Sequence, residues 1–307
     1  MYISVMEIAS SSKRVYRIAT RGDAGRISAL LKEAGFEHRH ADWSFPSDWL
    51  GKPGFWICEH TEDGSPGEII ACFAATADPP PAAWVRLAAA RKEIKPYSIF
   101  IELMGHIRDQ LLVEGVTEVG WLPADHWPST WLTDMGFELV NWIITYVKFG
   151  VNEPMAIECP AQIRQATLED IDEMASIEEA AFEPLWRHST ESLRLAFGQA
   201  VCFHVAYLDD RMVGFHYSAR GFEKDAGHLV RITVHPEAQR RGVGAALMAA
   251  AMESYIQLGL RTVTLNTQLD NLVSHRLYEK FGFRRIGERI PLWVMDIMDR
   301  RVLDGET

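Results

Sequence analysis

Apolar residues recur at helical spacing in two places, each time just after a threonine and an acid. Ile27, Leu30 and Leu31 follow Thr20 and Asp23, and Ile171, Met174 and Ile177 follow Thr167 and Asp170. Positions three and four apart share one face of a helix. A threonine with an acid three residues later satisfies two backbone N–H groups at a helix start. The pattern predicts a helix after each pair, and each run then reaches Phe-Glu, at 36–37 and at 182–183. Strand-like runs come next, at 55–58 and 69–74 in the first case and at 202–206 and 212–217 in the second, the latter two closing as a hairpin on Asp209-Asp210. Val85-Arg86-Leu87 matches Val230-Arg231-Ile232, and Met135-Gly136-Phe137 matches Phe281-Gly282-Phe283, a helix stopped by glycine before a strand. Closing strands are expected over 140–149 and 290–297. The same words in the same order at a near-constant offset mark one αβ unit used twice. Domains are expected over 14–150 and 161–300, joined by 150–162, which holds two prolines and no periodicity.

A chain of 307 residues suits two domains of this size. Net charge is −11, divided as −5 over 1–150 and −6 over 151–307, so neither half is a basic module for nucleic acid or anionic membrane. The four cysteines are scattered with no C-x-x-C pair, which argues against a zinc knuckle or disulfide framework and fits a reducing cytosol. No metal site is expected. No apolar run approaches membrane-spanning length and the start lacks a signal-peptide shape, so a cytoplasmic protein is expected, monomeric or homodimeric.

The chemistry concentrates in the second unit. A strand over 229–234 runs through HPEAQRR into an alanine-rich helix over 242–257 that begins Gly242-Val243-Gly244-Ala245. Each helical glycine costs about 1 kcal/mol relative to alanine. The first N–H groups of a helix lack intrahelical partners and sit at the positive end of its dipole, which suits a phosphate. Arg240 and Arg241 add charge. A P-loop would need Lys-Ser/Thr, which is missing, and a dinucleotide fingerprint would need a small residue where Leu247 stands.

Gln239-x-x-Gly242-x-Gly244 resembles the pyrophosphate loop of the GNAT acetyltransferase superfamily. The segment 270–283, with Asn271, Ser274 and Tyr278 on one helical face and Val273, Leu277 and Phe281 on a core-facing stripe, resembles that superfamily's later cofactor helix. The resemblance implies an α/β (α+β) protein of two tandem GNAT-like domains, each a twisted, mixed, mostly antiparallel sheet flanked by helices. It implies acetyl-CoA as cosubstrate, held by Gln239, Arg240, Arg241, Gly242, Val243, Gly244 and Ala245 at the pyrophosphate. Backbone of Ile232, Thr233 and Val234, on a strand splayed from the next one over 262–266, would take the pantetheine and thioester carbonyl. Asn271 and Ser274 would lie along the arm. Tyr278 would protonate the departing thiolate, as a phenol with pKa near 10 can.

A base for the incoming amine is less marked. His228, at the start of the cofactor strand, is the first candidate, with Glu223, His216 and His235 nearby. Glu183, Trp186 and Glu191 lie where acceptors dock in the superfamily. The first unit lacks the glycine pair, carries bulky Ile99 and Phe100 in its place, and offers Leu132 or Thr133 in a later helix where Tyr278 would stand. It also holds Trp43, Trp49, Trp56, Trp84, Trp121, Trp127, Trp131 and Trp142, read as core and interdomain filler. It resembles a degenerate copy, structural or acceptor-side. The expected activity is transfer of acetyl to a primary amine of a small molecule or peptide. A mycothiol-synthase-like or protein N-terminal acetyltransferase, or a non-catalytic CoA-binding sensor, remains open.

Overall fold

The computed structural model describes residues 13–40, 44–61, 67–123, 125–151, 157–221 and 223–298. The first half runs β1 (Lys13–Ile18), α1 (Ala24–Glu33), β2 (Ala34–Arg39), β3 (Phe55–Thr61), β4 (Glu68–Ala77), β5 (Ala82–Arg91), α2 (Tyr97–Val113), β6 (Glu118–Trp121) and β7 (Glu138–Phe149). The second runs β8 (Gln162–Gln165), α3 (Ile171–Ala181), α4 (Thr190–Gln199), β9 (Cys202–Leu208), β10 (Arg211–Arg220), β11 (Ala226–Val234), α5 (Val243–Gln257), β12 (Thr262–Gln268), α6 (Leu272–Lys280) and β13 (Arg284–Asp296). Among the described residues no helix is long and apolar enough to cross a membrane.

Both helix starts work as their sequence words imply, and each is part of a larger repeated device. Asp23 Oδ2 accepts the Thr20 N–H at 2.8 Å, and Asp170 Oδ2 accepts the Thr167 N–H at 2.7 Å. Each carboxylate is also gripped by an arginine six residues earlier, Arg17 or Arg164, through two bonds of 2.7–2.8 Å. The Arg164 guanidinium holds the Asp170 carboxyl down to about 2.

All strands belong to one mixed sheet in the order β1-β3-β4-β5-β6-β13-β7-β12-β11-β10-β9-β8, with β2 attached to β5 off this path. Only β5–β6 and β11–β12 are parallel among the described pairs; helices flank the sheet. The architecture is therefore the α+β arrangement expected, in two related copies.

The copies do not close separately. β7 pairs with β12 from Ile143 opposite Gln268 to Phe149 opposite Thr262. β13 pairs with β6 over Trp293–Asp296, and with β7 over Arg284–Ile286 and Ile290–Val294. Each half thus lends its last strand to the other's sheet. The cores follow: Met295 and Ile297 are buried with Phe73, Phe100 and Trp121, while Ile144 and Tyr146 are buried with Met248, Tyr255 and Phe283.

Two local expectations are corrected. The segment 126–137 is a run of turns with one short 3₁₀ turn at Pro128–Thr130 rather than a helix. Pro128 removes a donor there, and Trp127 and Trp131 instead turn onto Phe36 and Phe100. Val273 is 76% exposed, not core-facing, because only the last turns of α6 reach the sheet, where Tyr278 and Phe281 are buried.

Because β13 completes the first half's core, Met295→Ala is expected to destabilise the whole chain by about 2–5 kcal/mol. Calorimetric unfolding is expected to show one transition that moves as a unit. Two transitions, only one of them shifted, would show that the halves fold independently.

Candidate active site

β11 and β12 pair from Ala226 opposite Thr262 to Leu229 opposite Leu265, and then part. Beyond this point β11 keeps a partner on one edge only, β10. At the parting Leu229 faces Ser218 and Arg231 faces Tyr217, so Val230 is an extra, unopposed residue. Such a bulge bends its strand and sharpens the twist. Ile232, Thr233 and Val234 therefore stand on an open edge.

The loop after β11 brings a helix end to the same place. Arg240 (φ +60°) and Gly242 (φ +84°) both adopt left-handed conformations, which turn the chain into α5. The Ala246 N–H is the first of the helix to bond back, to Gly242 O at 3.0 Å, which leaves the N–H groups of Val243, Gly244 and Ala245 pointing out of the end. Gly242 is required by its φ. At Gly244 a Cβ would meet only Val234 Cγ2 at 3.6 Å and Leu277 Cδ2 at 3.7 Å, both ordinary contacts. Internal packing therefore does not demand glycine at 244, and the bare backbone there faces the gap between β11 and α6. Arg240 and Arg241 are exposed, and Gln239 Nε2 donates to Val234 O at 3.2 Å, tying the loop to the strand.

The first half parts at the same point, after Trp84 opposite Gly120, but its gap is filled. β2 lies along β5, from Ala34 opposite Arg91 to Arg39 opposite Leu87, and uses the edge that β11 leaves open. Ile99 and Phe100 are fully buried, and Leu132 likewise.

On the α5 and α6 face, Tyr278 is buried beside Tyr146 and Phe283. Burial pushes its phenol up to about 12, while the Ser274 hydroxyl and the Arg231 charge pull the other way. Asn271 caps α6, its Oδ1 accepting the Ser274 N–H at 3.2 Å. His228 lies where β11 and β12 are still paired, with Nδ1 2.8 Å from Thr264 Oγ1, and burial lowers its pKa. His216 is buried, with Nε2 2.8 Å from His204 Nδ1; His235 Nδ1 accepts the Glu237 N–H, and Glu223 is exposed.

The opposite face holds a cluster that reading along the chain missed. Arg231 donates from Nη2 to Trp186 O at 2.6 Å, pairs with Glu178 Oε2 at 3.1 Å, and lies 4.3 Å over the Phe182 ring. Glu178 is fully buried and also accepts from Thr233 Oγ1 at 3.2 Å and from the His188 N–H at 3.1 Å. His188 Nδ1 is 2.6 Å from the Tyr217 hydroxyl. This wall leans on the first half: Trp84 Nε1 donates to Leu185 O at 2.8 Å, and its ring meets Trp186 at 5.4 Å. Glu183 is exposed, and Glu191 lines a cavity of about 390 Å³ shared with Trp49, Lys52 and Asp78. Trp43 lies outside the described residues. The one sequence signal for the cluster was the match of Arg231 to Arg86, whose charges both act on His188.

Residues 171–283 match the acetyltransferase (GNAT) family. An uncharacterized N-acetyltransferase of Methanocaldococcus jannaschii is 29% identical over 125 residues, 40% of this chain and 77% of that one. A mycothiol acetyltransferase of Pseudarthrobacter chlorophenolicus is 35% identical over 99 residues, 31% of this chain but only 28% of its own length. A solved tandem GNAT protein from the clavulanic acid biosynthesis pathway superposes over 93% of this chain and 99% of its own, with a TM-score of 0.60 at 14% identity. The open-edged strand and the bare helix end both lie within the stretch that matches the acetyltransferase (GNAT) family, so the second half carries a GNAT acetyltransferase domain, with a second copy of the fold before it.

Proposed function

We propose that the second half transfers an acetyl group from acetyl-CoA to a primary amine of a small molecule or peptide, by direct attack on the thioester. The observation that carries this reading is the open edge of β11 beside the unsatisfied N-terminus of α5. Val243, Gly244 and Ala245 offer N–H groups to a pyrophosphate, with Arg240 and Arg241 adding charge. The free backbone of Ile232, Thr233 and Val234 holds the pantetheine and polarises the thioester carbonyl, which lowers the barrier without a protein nucleophile. Asn271 and Ser274 bound the arm from α6.

Tyr278 donates its proton to the sulfur as the carbon–sulfur bond breaks. A phenol pushed up to about 12 is fully protonated at neutral pH, so the donor is in place when the thiolate forms. The parted strands let the two faces of the sheet meet: the leaving group is served from the α6 side and the amine arrives from the α3 side. In the first half β2 consumes the equivalent backbone edge, which supports a structural or acceptor-side role for it. The four free cysteines suit action in the reducing cytoplasm.

Calorimetric titration with acetyl-CoA is expected to find one site, weakened at least 100-fold by Gly244→Glu, where a Cβ meets only ordinary contacts, with the unfolding midpoint unchanged. Two sites would restore a ligand to the first half; none would overturn the reading.

Tyr278→Phe is expected to retain acetyl-CoA binding while lowering kcat about 100-fold or more in a screen of amines followed by CoA release. An unchanged rate would remove Tyr278 from the chemistry.

A further inference from the structure

We propose that His188, oriented by Tyr217, is the group that takes the proton from the incoming amine. The inference rests on the acetyltransfer reading above and names a residue for its least determined step. Tyr217 is the strand partner of Arg231, immediately beside the unopposed Val230, and is fully buried in the core beneath α3 and α4. His188 stands on the Tyr217 hydroxyl at 2.6 Å through Nδ1 and is held from behind by its own N–H on Glu178 at 3.1 Å. Its Nε2 makes no hydrogen bond, is not among the sealed polar atoms that lack one, and the residue is only half-buried. One nitrogen is therefore fixed by the fold and the other is left without a protein partner among the described residues. His228 offers the reverse: its Nδ1 is engaged by Thr264 and it lies in the part where the strands are still zipped.

The surroundings suit a proton acceptor. Arg231 on β11, Arg86 on β5 and His40 at the end of β2 all face His188, with Glu178 on α3 the neighbouring acid. Burial and the two arginines keep the imidazole neutral, the form that can accept. The same charges favour loss of a proton by an ammonium brought among them.

The step balances as follows. With Nδ1–H donated to the Tyr217 oxygen, the Nε2 lone pair removes one proton from the ammonium. The freed nitrogen lone pair forms the carbon–nitrogen bond as the carbon–sulfur bond breaks. Tyr278 gives its proton to the sulfur, the new amide nitrogen sheds its extra proton to the Tyr278 oxygen, and His188 releases its proton to solvent.

The test uses two small acceptors with the full chain: ethylamine, an ammonium at neutral pH, and hydroxylamine, which is uncharged there and needs no base to begin attack. His188→Gln is expected to lower acetyl transfer to ethylamine about 100-fold or more while transfer to hydroxylamine stays within about threefold. Tyr217→Phe is expected to show the same selectivity at smaller size, and acetyl-CoA affinity by calorimetry is expected to hold in both. Equal loss with both acceptors would assign His188 a structural role, and no loss with either would remove it; both overturn the proposal. Wild-type protein that binds acetyl-CoA but acetylates neither acceptor would instead overturn the acetyltransfer reading beneath it.

Discussion

The N–H and C=O groups along the edge of a strand must find partners once water is excluded. The two halves of this chain meet that constraint at the same point of the same unit in different ways. In the first, β2 folds back along β5 and supplies the missing ladder. In the second, the corresponding Phe182-Glu183 stretch turns away into the 3₁₀ turn at Pro184–Trp186, and β11 keeps its edge. The presence or absence of one short strand separates a closed sheet from one that can take an extended ligand. The extra residue at Val230 assists by bending β11 away from β12 at the place where the ladder ends.

A second consequence of the same chemistry is the exchange of β7 and β13. β6 and β12 each also present a second edge, on the side away from the parting. Each half fills that edge with the other's final strand. The sheet is then continuous, and side chains from one half become core residues of the other. Met295 and Ile297 are among them, as are Ile144 and Tyr146 in return.

Much of this was legible along the chain. The Thr-x-x-Asp helix starts, the hairpin on Asp209-Asp210 and the glycine loop depend on residues a few positions apart, and sequence spacing reports such features directly. What stayed hidden depends on distance. Phe36–Arg39 shows no run of apolar alternation because the second inward position of β2 is a histidine, His38, buried against Trp121 two residues after Phe36. The exchange of closing strands pairs residues more than a hundred positions apart and leaves no local mark. Val273 fits the apolar stripe of α6, yet the helix overhangs the sheet at that end. His188 is a lone histidine whose partners, Glu178, Tyr217 and Arg231, come from three different elements. Only the fold brings them together.

The hydrogen bond from Trp84 to the Leu185 carbonyl carries a last implication. Leu185 belongs to the stretch that walls the Glu178–Arg231 cluster of the second half, so the first half acts as the mould against which that wall is cast. A change of shape in the first half is therefore passed, through one indole N–H, to the wall that carries Glu178 and Arg231 in the second.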